Sequence, residues 1–252
     1  MKIAGSTALV TGANRGFGRH LASELLARGA TVYAGARDPD TVDQEGVIPL
    51  ALDITDPKSV AVAAEATGEI ALLINNAGSS TGADLLDSDL GAIRLEMETH
   101  FFGTLGVVRA FVPKMSANGG GSILNVLSAL SWISFPAIGA YCAAKSAEWS
   151  MTNALRVQLS EQNIRVSGLH VGYMDTDMTA TVTGPKSDPA DVAKVAIDGI
   201  EHDLYEIVVD DVSRHVQAGL AGGAAALYPQ LPEGSARLRR PRAGCRCQWE
   251  CS

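Results

Sequence analysis

Near its N-terminus the sequence reads Thr7-Ala8-Leu9-Val10-Thr11-Gly12-Ala13-Asn14-Arg15-Gly16-Phe17-Gly18. The first four residues form a short aliphatic run typical of a buried strand, and leucines then recur at helical spacing over 18–28. The three glycines between strand and helix permit a sharp turn and the close approach of a phosphate, whose charge meets free amides at the helix N-terminus. Since the spacing Gly-x3-Gly-x-Gly is only moderately specific, a glycine-rich turn without a ligand remains the alternative.

The same alternation of aliphatic runs and helical patterns continues along the chain. Further strands are predicted at 31–34, 47–52, 70–74, 122–127, 164–169 and 207–209, and helices at 57–66, 90–115, 140–160 and 189–201. Several of these runs are continuously apolar, as in parallel strands buried on both faces. Repeated βαβ units predict an α/β fold with a doubly wound sheet in one domain over residues 1–232.

The last twenty residues, 233–252, differ from this domain. They contain five arginines, two glutamates, three cysteines and no apolar period, which predicts a disordered tail. A zinc site there is disfavoured because four ligands are needed and no histidine accompanies the cysteines. No metal site is predicted elsewhere.

Composition and charge exclude several classes of partner. The 252 residues are 46% apolar and 19% charged, which suits a packed core. A net charge of −8 disfavours binding to nucleic acid or to an anionic membrane surface. The N-terminus lacks the apolar stretch of a secretory signal, so a cytoplasmic location is expected.

Two further motifs follow the glycine loop in order. Asn75-Asn76-Ala77-Gly78 comes after the fourth predicted strand, and Tyr141-x3-Lys145 begins a later helix. Over about residues 5–231 this series resembles the short-chain dehydrogenase/reductase family. The resemblance implies a Rossmann fold with a seven-stranded parallel sheet of order 3-2-1-4-5-6-7, a nicotinamide cofactor, and a homodimer or homotetramer.

Tyr141 and Lys145 are candidate catalytic residues, because residues four apart project from one helix face. A phenol has an ordinary pKa of about 10, and a neighbouring ammonium and an oxidised nicotinamide favour the phenolate. Ser128 follows a predicted strand and can bond a substrate oxygen. The family's catalytic Ser, Tyr and Lys match these three positions, although Tyr-x3-Lys by itself is usually a pair on a helix surface.

His100 marks a departure from the family, which usually has asparagine in an Asn-x-x-Gly element where this chain reads His100-Phe101-Phe102-Gly103. In the family that asparagine helps hold a water that links the catalytic lysine to solvent. Imidazole donates and accepts, and it titrates near pH ~6.5. We therefore predict that His100 keeps this relay and adds an acid limb to the pH–rate profile; the alternative is an impaired relay with slow turnover.

Charge indicates which cofactor is used. The second strand ends in Gly35-Ala36-Arg37-Asp38, so the acid that NAD binders place on the ribose 2′-hydroxyl is missing at Ala36. Arg37 and Arg15 can instead receive the extra phosphate of NADP, which predicts NADP(H), although either arginine alone could be a solvated surface residue. Together with Arg15 and Arg37, the expected cofactor contacts, most of them implied by the resemblance, are Gly12, Asn14, Gly16, Phe17, Gly18, Asp53, Ile54, Asn76, Ala77, Gly78, Tyr141, Lys145, Gly172 and Thr176.

The segment after the sixth strand also departs from the family. The family's Pro-Gly-x3-Thr appears as Val171-Gly172-Tyr173-Met174-Asp175-Thr176, and losing the fixed φ of proline is expected to loosen the loop that covers substrate. Only 177–188 separate this motif from the next helix, which predicts a brief lid. An apolar substrate pocket is expected from residues that could also be ordinary core: Trp132, Phe135, Tyr173, Met174 and Met178.

The favoured function is an NADPH-dependent reductase that delivers hydride to an apolar ketone or aldehyde, or to an imine, and that also oxidises the alcohol. Tyr141 would donate the proton. The alternative from another class is an NADPH-binding sensor with vestigial chemistry, which the intact Ser128, Tyr141 and Lys145 argue against. A sugar-nucleotide epimerase is less favoured because no room remains for a substrate domain.

Overall fold

A computed structural model describes residues 1–231 and contains one seven-stranded parallel sheet. The strands are β1 Thr7–Thr11, β2 Thr31–Ala36, β3 Ile48–Ala51, β4 Leu72–Asn75, β5 Gly121–Val126, β6 Ile164–His170 and β7 Glu206–Val208. They lie in the order β3-β2-β1-β4-β5-β6-β7, which confirms the expected Rossmann topology. The predicted tail at 233–252 lies outside the described residues.

Eight helices connect or follow these strands within the described part of the chain. They are α1 Gly16–Ala27, α2 Pro57–Ala66, α3 Leu90–Met97, α4 Thr104–Ala117, α5 Gly139–Gln158, α6 Pro189–Glu201, α7 Asp211–Gly219 and α8 Gly223–Leu227. The single helix predicted over 90–115 is interrupted by a π-helical turn, Glu98–Gly103, between α3 and α4. Helices α7 and α8 were not predicted from the sequence. Through residue 231, no helix combines the length and apolar character needed to cross a membrane.

The core lies on both faces of the sheet, as the continuously apolar strands predict. In β1, Ala8 and Val10 pack into a cluster with residues of α1 and α6, whereas Leu9 packs into a second cluster with residues of α2, α4 and α5. This division follows from the two-residue period of a strand, since neighbouring side chains point to opposite faces. Helices therefore pack on both faces of the sheet.

The carboxyl ends of the central strands meet at one edge of the sheet, where the strand order reverses between β1 and β4. Crevices at such reversals are where open α/β sheets bind their ligands. A buried chain of side-chain hydrogen bonds crosses this region: Asn75 Nδ2 donates to Asn125 Oδ1 at 2.8 Å, and Asn125 Nδ2 donates to Thr152 Oγ1 at 2.8 Å. It ties β4 and β5 to α5.

Candidate active site

The glycine loop joins β1 to α1 through backbone conformations that favour glycine. Gly12 has φ +66° and Gly16 has φ +53°. A Cβ on Gly18 would lie 2.2 Å from the carbonyl oxygen of Gly12, so no larger residue fits that position unless the loop moves. At the start of α1, Arg15 makes no side-chain capping bond and the first turn contains no acidic residue. These uncapped amides fit the pyrophosphate of a dinucleotide.

Thr11 and Asn76 hold this loop in place. Asn76 Nδ2 donates to the carbonyl oxygens of Thr11 at 2.9 Å and Gly12 at 3.2 Å. The amides of Asn76 and Ala77 donate to Thr11 Oγ1 at 3.0 and 2.9 Å. Asn76 and Ala77 thus support the loop, and Thr11 is a supporting residue that the sequence reading missed.

Arg15 on the glycine loop and Arg37 after β2 both follow closely on a backbone hydrogen bond that joins these two segments. The amide of Ala13 donates to the carbonyl oxygen of Gly35 at 3.0 Å, two residues before each arginine. Both side chains are exposed. Arg15 lies 3.9 Å from the Asp177 carboxylate, and Arg37 forms no ion pair within residues 1–231. Their guanidinium groups are therefore accessible to an anion.

Other expected cofactor contacts have local partners of their own. Asn14 Nδ2 donates to Thr41 Oγ1 at 3.0 Å. Asp53 Oδ1 accepts from the amide and the hydroxyl of Thr55 at 2.9 and 2.7 Å. The backbone of Gly78 lies against His100, since a Cβ there would be 2.8 Å from His100 Cε1. Phe17 and Ile54 are buried in the core.

The loop after β6 is anchored although it lacks the family's proline. The amide of Gly172 donates to Asp210 Oδ2 at 2.7 Å, and Asp210 in turn caps α7. The amide of Asp175 donates to the carbonyl oxygen of Ser187 at 3.0 Å. These bonds supply constraints that offset the missing ring. The loop also brings Thr176 to the glycine loop, where its Cβ lies 3.9 Å from the position of a Cβ on Gly16.

Tyr141 and Lys145 lie on one face of α5, as their spacing predicts. Lys145 Nζ is 5.9 Å from the centre of the Tyr141 ring, and it donates to the carbonyl oxygen of Val126 and to Glu148 Oε2, each at 2.7 Å. Both Lys145 and Glu148 are buried, at 5% and 2% exposure. Glu148 is a second residue that the sequence reading missed.

Ser128 lies at the end of β5, where it caps a short 3₁₀ turn, Ala129–Ser131. Its Oγ accepts from the amide of Leu130 at 3.1 Å and donates to the carbonyl oxygen of Val171 at 3.4 Å. No hydrogen bond joins Ser128 to Tyr141 within the described residues. The serine is therefore held at the site by backbone contacts.

The protonation of Tyr141 depends on its burial and on the charges around it. Burial raises the pKa of Tyr141, the Lys145 ammonium lowers it, and the carboxylates of Glu148 and Glu96 raise it again, so that the net shift is upward. The lysine therefore acts in the predicted direction, and the lowering of this pKa beside an oxidised nicotinamide stays a prediction. Burial lowers the pKa of Lys145, but Glu148, Tyr141 and Glu96 together raise it by more, so the net shift is upward and Lys145 is an ammonium.

His100 is buried in the π-helical turn, a rare element that is common at functional sites. Its Nε2 lies 2.9 Å from the carbonyl oxygen of Ser79 and 3.3 Å from Glu96 Oε2. Its Nδ1 lies 3.8 Å from Glu148 Oε2 and has no hydrogen-bond partner within residues 1–231. The ring packs edge-on against Tyr141, with 5.2 Å between centroids.

Glu96 completes this buried group. Burial raises the pKa of Glu96, but hydrogen bonds with His100, Thr81 and Ser79 outweigh it and hold the pKa at about 2. Glu96 is therefore a carboxylate at any pH at which the protein would be assayed. We name the buried Lys145, Glu148, His100 and Glu96, together with the partly buried Tyr141 beside them, the buried ionisable cluster.

The expected substrate-pocket residues are divided between core and surface. Trp132 is 8% exposed and stacks on His170, with 3.6 Å between ring centroids, so packing accounts for its position. Phe135, Tyr173 and Met178 are exposed, whereas Met174 is partly buried and packs against the core. The structure thus leaves three apolar side chains of this set accessible to a ligand.

Comparisons with known proteins agree with this arrangement. The family model described as short chain dehydrogenase matches residues 6–186. An uncharacterized oxidoreductase of Bacillus subtilis, YusZ, is 31% identical over 82% of this chain and 77% of its own length. An NADP-dependent 3-hydroxy acid dehydrogenase of Schizosaccharomyces pombe is 27% identical over 96% of this chain and 99% of its own.

A solved structure shows the same likeness. A short chain dehydrogenase from Burkholderia cenocepacia, crystallised in complex with NADP, superimposes with a TM-score of 0.88. It is 37% identical to this chain, and the match covers 92% of this chain and 99% of that one. The family match spans most of the sequence, and the glycine loop and the Tyr141–Lys145 pair lie where the sheet order reverses. The chain therefore belongs to the short-chain dehydrogenase/reductase family of oxidoreductases.

Proposed function

We propose that the protein is an NADPH-dependent reductase of apolar ketones or aldehydes, which also oxidises the corresponding alcohols. The observation that carries this proposal is the pair on α5, in which a neutral, partly buried Tyr141 phenol lies beside a buried Lys145 ammonium. A phenol in such a position is a proton donor, which carbonyl reduction requires.

In this mechanism the side chains orient the substrate and move one proton. Ser128 donates a hydrogen bond to the substrate oxygen and orients the carbonyl toward Tyr141. When bound, a nicotinamide cofactor supplies the hydride that adds to the carbonyl carbon. Tyr141 gives its hydroxyl proton to the oxygen as negative charge develops there, and Lys145 stabilises the phenolate that remains.

The surroundings of this site favour an apolar substrate. Phe135, Tyr173 and Met178 are exposed apolar side chains on the segments that follow β5 and β6. Ligand sites are commonly lined by apolar side chains with a few polar groups that fix orientation. A C=N bond polarised in the same way is a second substrate class for the same residues.

The preference for NADP over NAD rests on charge. Ala36 supplies no acid for a ribose 2′-hydroxyl, and the exposed Arg15 and Arg37 can both bond a 2′-phosphate. The related Burkholderia cenocepacia protein was solved with NADP, which supports this choice.

Replacing Arg37 with alanine is expected to raise KM for NADPH about 10- to 100-fold, because one charge-assisted hydrogen bond is worth about 1.5–3 kcal/mol. KM for NADH should stay unchanged, since NADH has no 2′-phosphate. Steady-state kinetics with both cofactors measure this. Arg109→Ala, which removes an exposed arginine from α4, is the matched control. Equal use of NADH and NADPH by the wild type would reject the preference itself.

The reductase proposal is tested by following NADPH oxidation with aliphatic, aryl and cyclic carbonyls and with cyclic imines. We expect turnover with several apolar carbonyls. NADPH binding without turnover on any of them would contradict the proposal and favour a sensor with vestigial chemistry. The departures at His100 and at Val171 are the features that support that alternative.

A further inference from the structure

A buried acid on α5 has no part in the mechanism above. Glu148 follows Lys145 by three residues and Tyr141 by seven, so all three lie on one stripe of the helix. Its side chain is 2% exposed, and Oε2 accepts from Lys145 Nζ at 2.7 Å. A buried carboxylate is costly unless it is paired and hydrogen-bonded, so this ion pair is required for Glu148 to be tolerated.

The charges that face Tyr141 come from three elements. Lys145 and Glu148 lie on α5, Glu96 lies on α3, and the His100 ring packs edge-on from the π-helical turn. The Cys142 thiol is the remaining titratable neighbour, and burial raises its pKa, so it stays neutral. One ammonium thus faces two carboxylates around the tyrosine. Negative charge near a phenol opposes its ionisation.

The two carboxylates are compensated differently. Glu96 is held by the Ser79 hydroxyl at 2.9 Å, by the amide of Thr81 and by His100, whereas within residues 1–231 Lys145 Nζ bonds only Val126 and Glu148. Glu148, in contrast, bonds the same ammonium that would otherwise stabilise a Tyr141 phenolate. Both acids act on Lys145 through their charge, but of the two only Glu148 is hydrogen-bonded to the ammonium.

We propose that Glu148 is a positioning residue that acts through Lys145: its carboxylate fixes Nζ and neutralises the ammonium, so that Tyr141 stays a phenol and is ready to donate its proton. This role rests on the proposed function, because it concerns the tyrosine that protonates the substrate. In reduction the Tyr141 O–H bond breaks and an O–H bond forms on the substrate oxygen. The phenolate left behind recovers a proton from water.

Glu148→Gln tests this role through the pH profile of alcohol oxidation, in which the phenolate is the base. Removing the carboxylate charge favours the phenolate and lowers the pKa of Tyr141, so oxidation should reach its plateau at lower pH. The fraction of plateau kcat/KM reached at about pH 7 is expected to rise about tenfold, as a single nearby charge can produce. Only the pH dependence of alcohol oxidation is compared between the proteins, because a substitution in the enzyme does not change the equilibrium constant of the reaction.

Two variants separate charge from packing. Glu148→Asp keeps the carboxylate and should keep the wild-type profile. Glu161→Gln removes an acid from the exposed turn after α5 and should change nothing. If Glu148→Gln does not fold, Glu148→Ala removes the same charge and should give the same displacement. An unchanged profile in a folded variant that lacks the charge overturns the role of Glu148, and so does a Glu148→Asp profile displaced as far as that of Glu148→Gln.

A second measurement needs no turnover. The phenolate absorbance of Tyr141 is obtained by titrating the protein without added cofactor and subtracting the same titration of Tyr141→Phe. The two titrations are then repeated with proteins that also carry the Glu148→Gln substitution, one with Tyr141 and one with Tyr141→Phe. The Tyr141 signal should appear at lower pH when the carboxylate is absent. A displaced signal without Tyr141-dependent turnover supports the charge role and rejects the reductase. Turnover with no displacement rejects the role of Glu148 alone.

Discussion

Tyr141→Phe is expected to lower kcat for carbonyl reduction by about 10³-fold, within the range that a positioned general acid contributes. The substitution removes the donated proton and leaves the ring that packs against His100. The Tyr141 hydroxyl makes no hydrogen bond within the described residues, so its loss leaves no buried partner unsatisfied. The melting temperature should therefore stay close to the wild-type value, and NADPH should still bind because most of the expected cofactor contacts lie elsewhere.

The measurement combines kcat on the best carbonyl of the panel with NADPH binding followed by cofactor fluorescence. Tyr205→Phe is the matched control, because Tyr205 is an exposed tyrosine before β7 whose ring lies under Arg156 and Arg165. It should reduce the carbonyl at the wild-type rate. Retention of more than about a tenth of wild-type kcat in Tyr141→Phe would exclude the phenol as the main proton donor.

The parts of this fold that could be predicted are those encoded locally. The predicted strands agree with all seven observed strands to within about two residues, and several of them are the continuous apolar runs that are typical of strands buried on both faces. The helices predicted to begin at residues 57 and 189 begin there, each directly after an aspartate that caps it, Asp56 for α2 and Asp188 for α6. The glycine loop was predictable because strand, glycines and helix follow one another directly.

The buried ionisable cluster could not be predicted in the same way. Glu96 and Glu148 lie on helices far apart in the sequence, and acids at such positions are usually solvated. Only the fold brings them to one site. A signal was present in the spacing, since Glu96 precedes His100 by four residues and Glu148 follows Lys145 by three. The sequence offered no measure of how deeply either acid is buried, nor of the desolvation of Tyr141, which is the largest cause of the upward shift of its pKa.

The loop after β6 shows a similar limit. Its missing proline predicted a looser segment, because a fixed φ is a local property that can be read from the sequence. The hydrogen bond that compensates for the missing proline joins Gly172 to Asp210, which is 38 residues away. Asp210 is the cap of α7, a helix that the periodicity of the sequence did not reveal. Long-range hydrogen bonds of this kind depend on topology.

Gly18→Ala is expected to lower kcat/KM for NADPH by about 10²-fold, the effect of displacing a binding element by about 1 Å. An alanine Cβ would lie 2.2 Å from the carbonyl oxygen of Gly12 and 2.5 Å from Asn76 Nδ2. Neither atom can yield easily, because Asn76 Nδ2 is bonded to the carbonyl oxygens of Thr11 and Gly12. The glycine loop must therefore move away from α1.

The same substitution should destabilise the protein by about 1–3 kcal/mol, as overpacking does. Thermal unfolding without NADPH measures the loss of stability. Thermal unfolding with NADPH measures the loss of cofactor binding, because a ligand that binds the folded state raises the melting temperature and a displaced loop reduces that rise. Gly106→Ala in α4 is the matched control, because a Cβ there meets no atom within 4 Å. Alanine in a helix is favoured over glycine by about 0.5–1 kcal/mol, so this control should be at least as stable as the wild type. If Gly18→Ala kept the wild-type response to NADPH, the close contact between the glycine loop and α1 would not be what shapes the cofactor site.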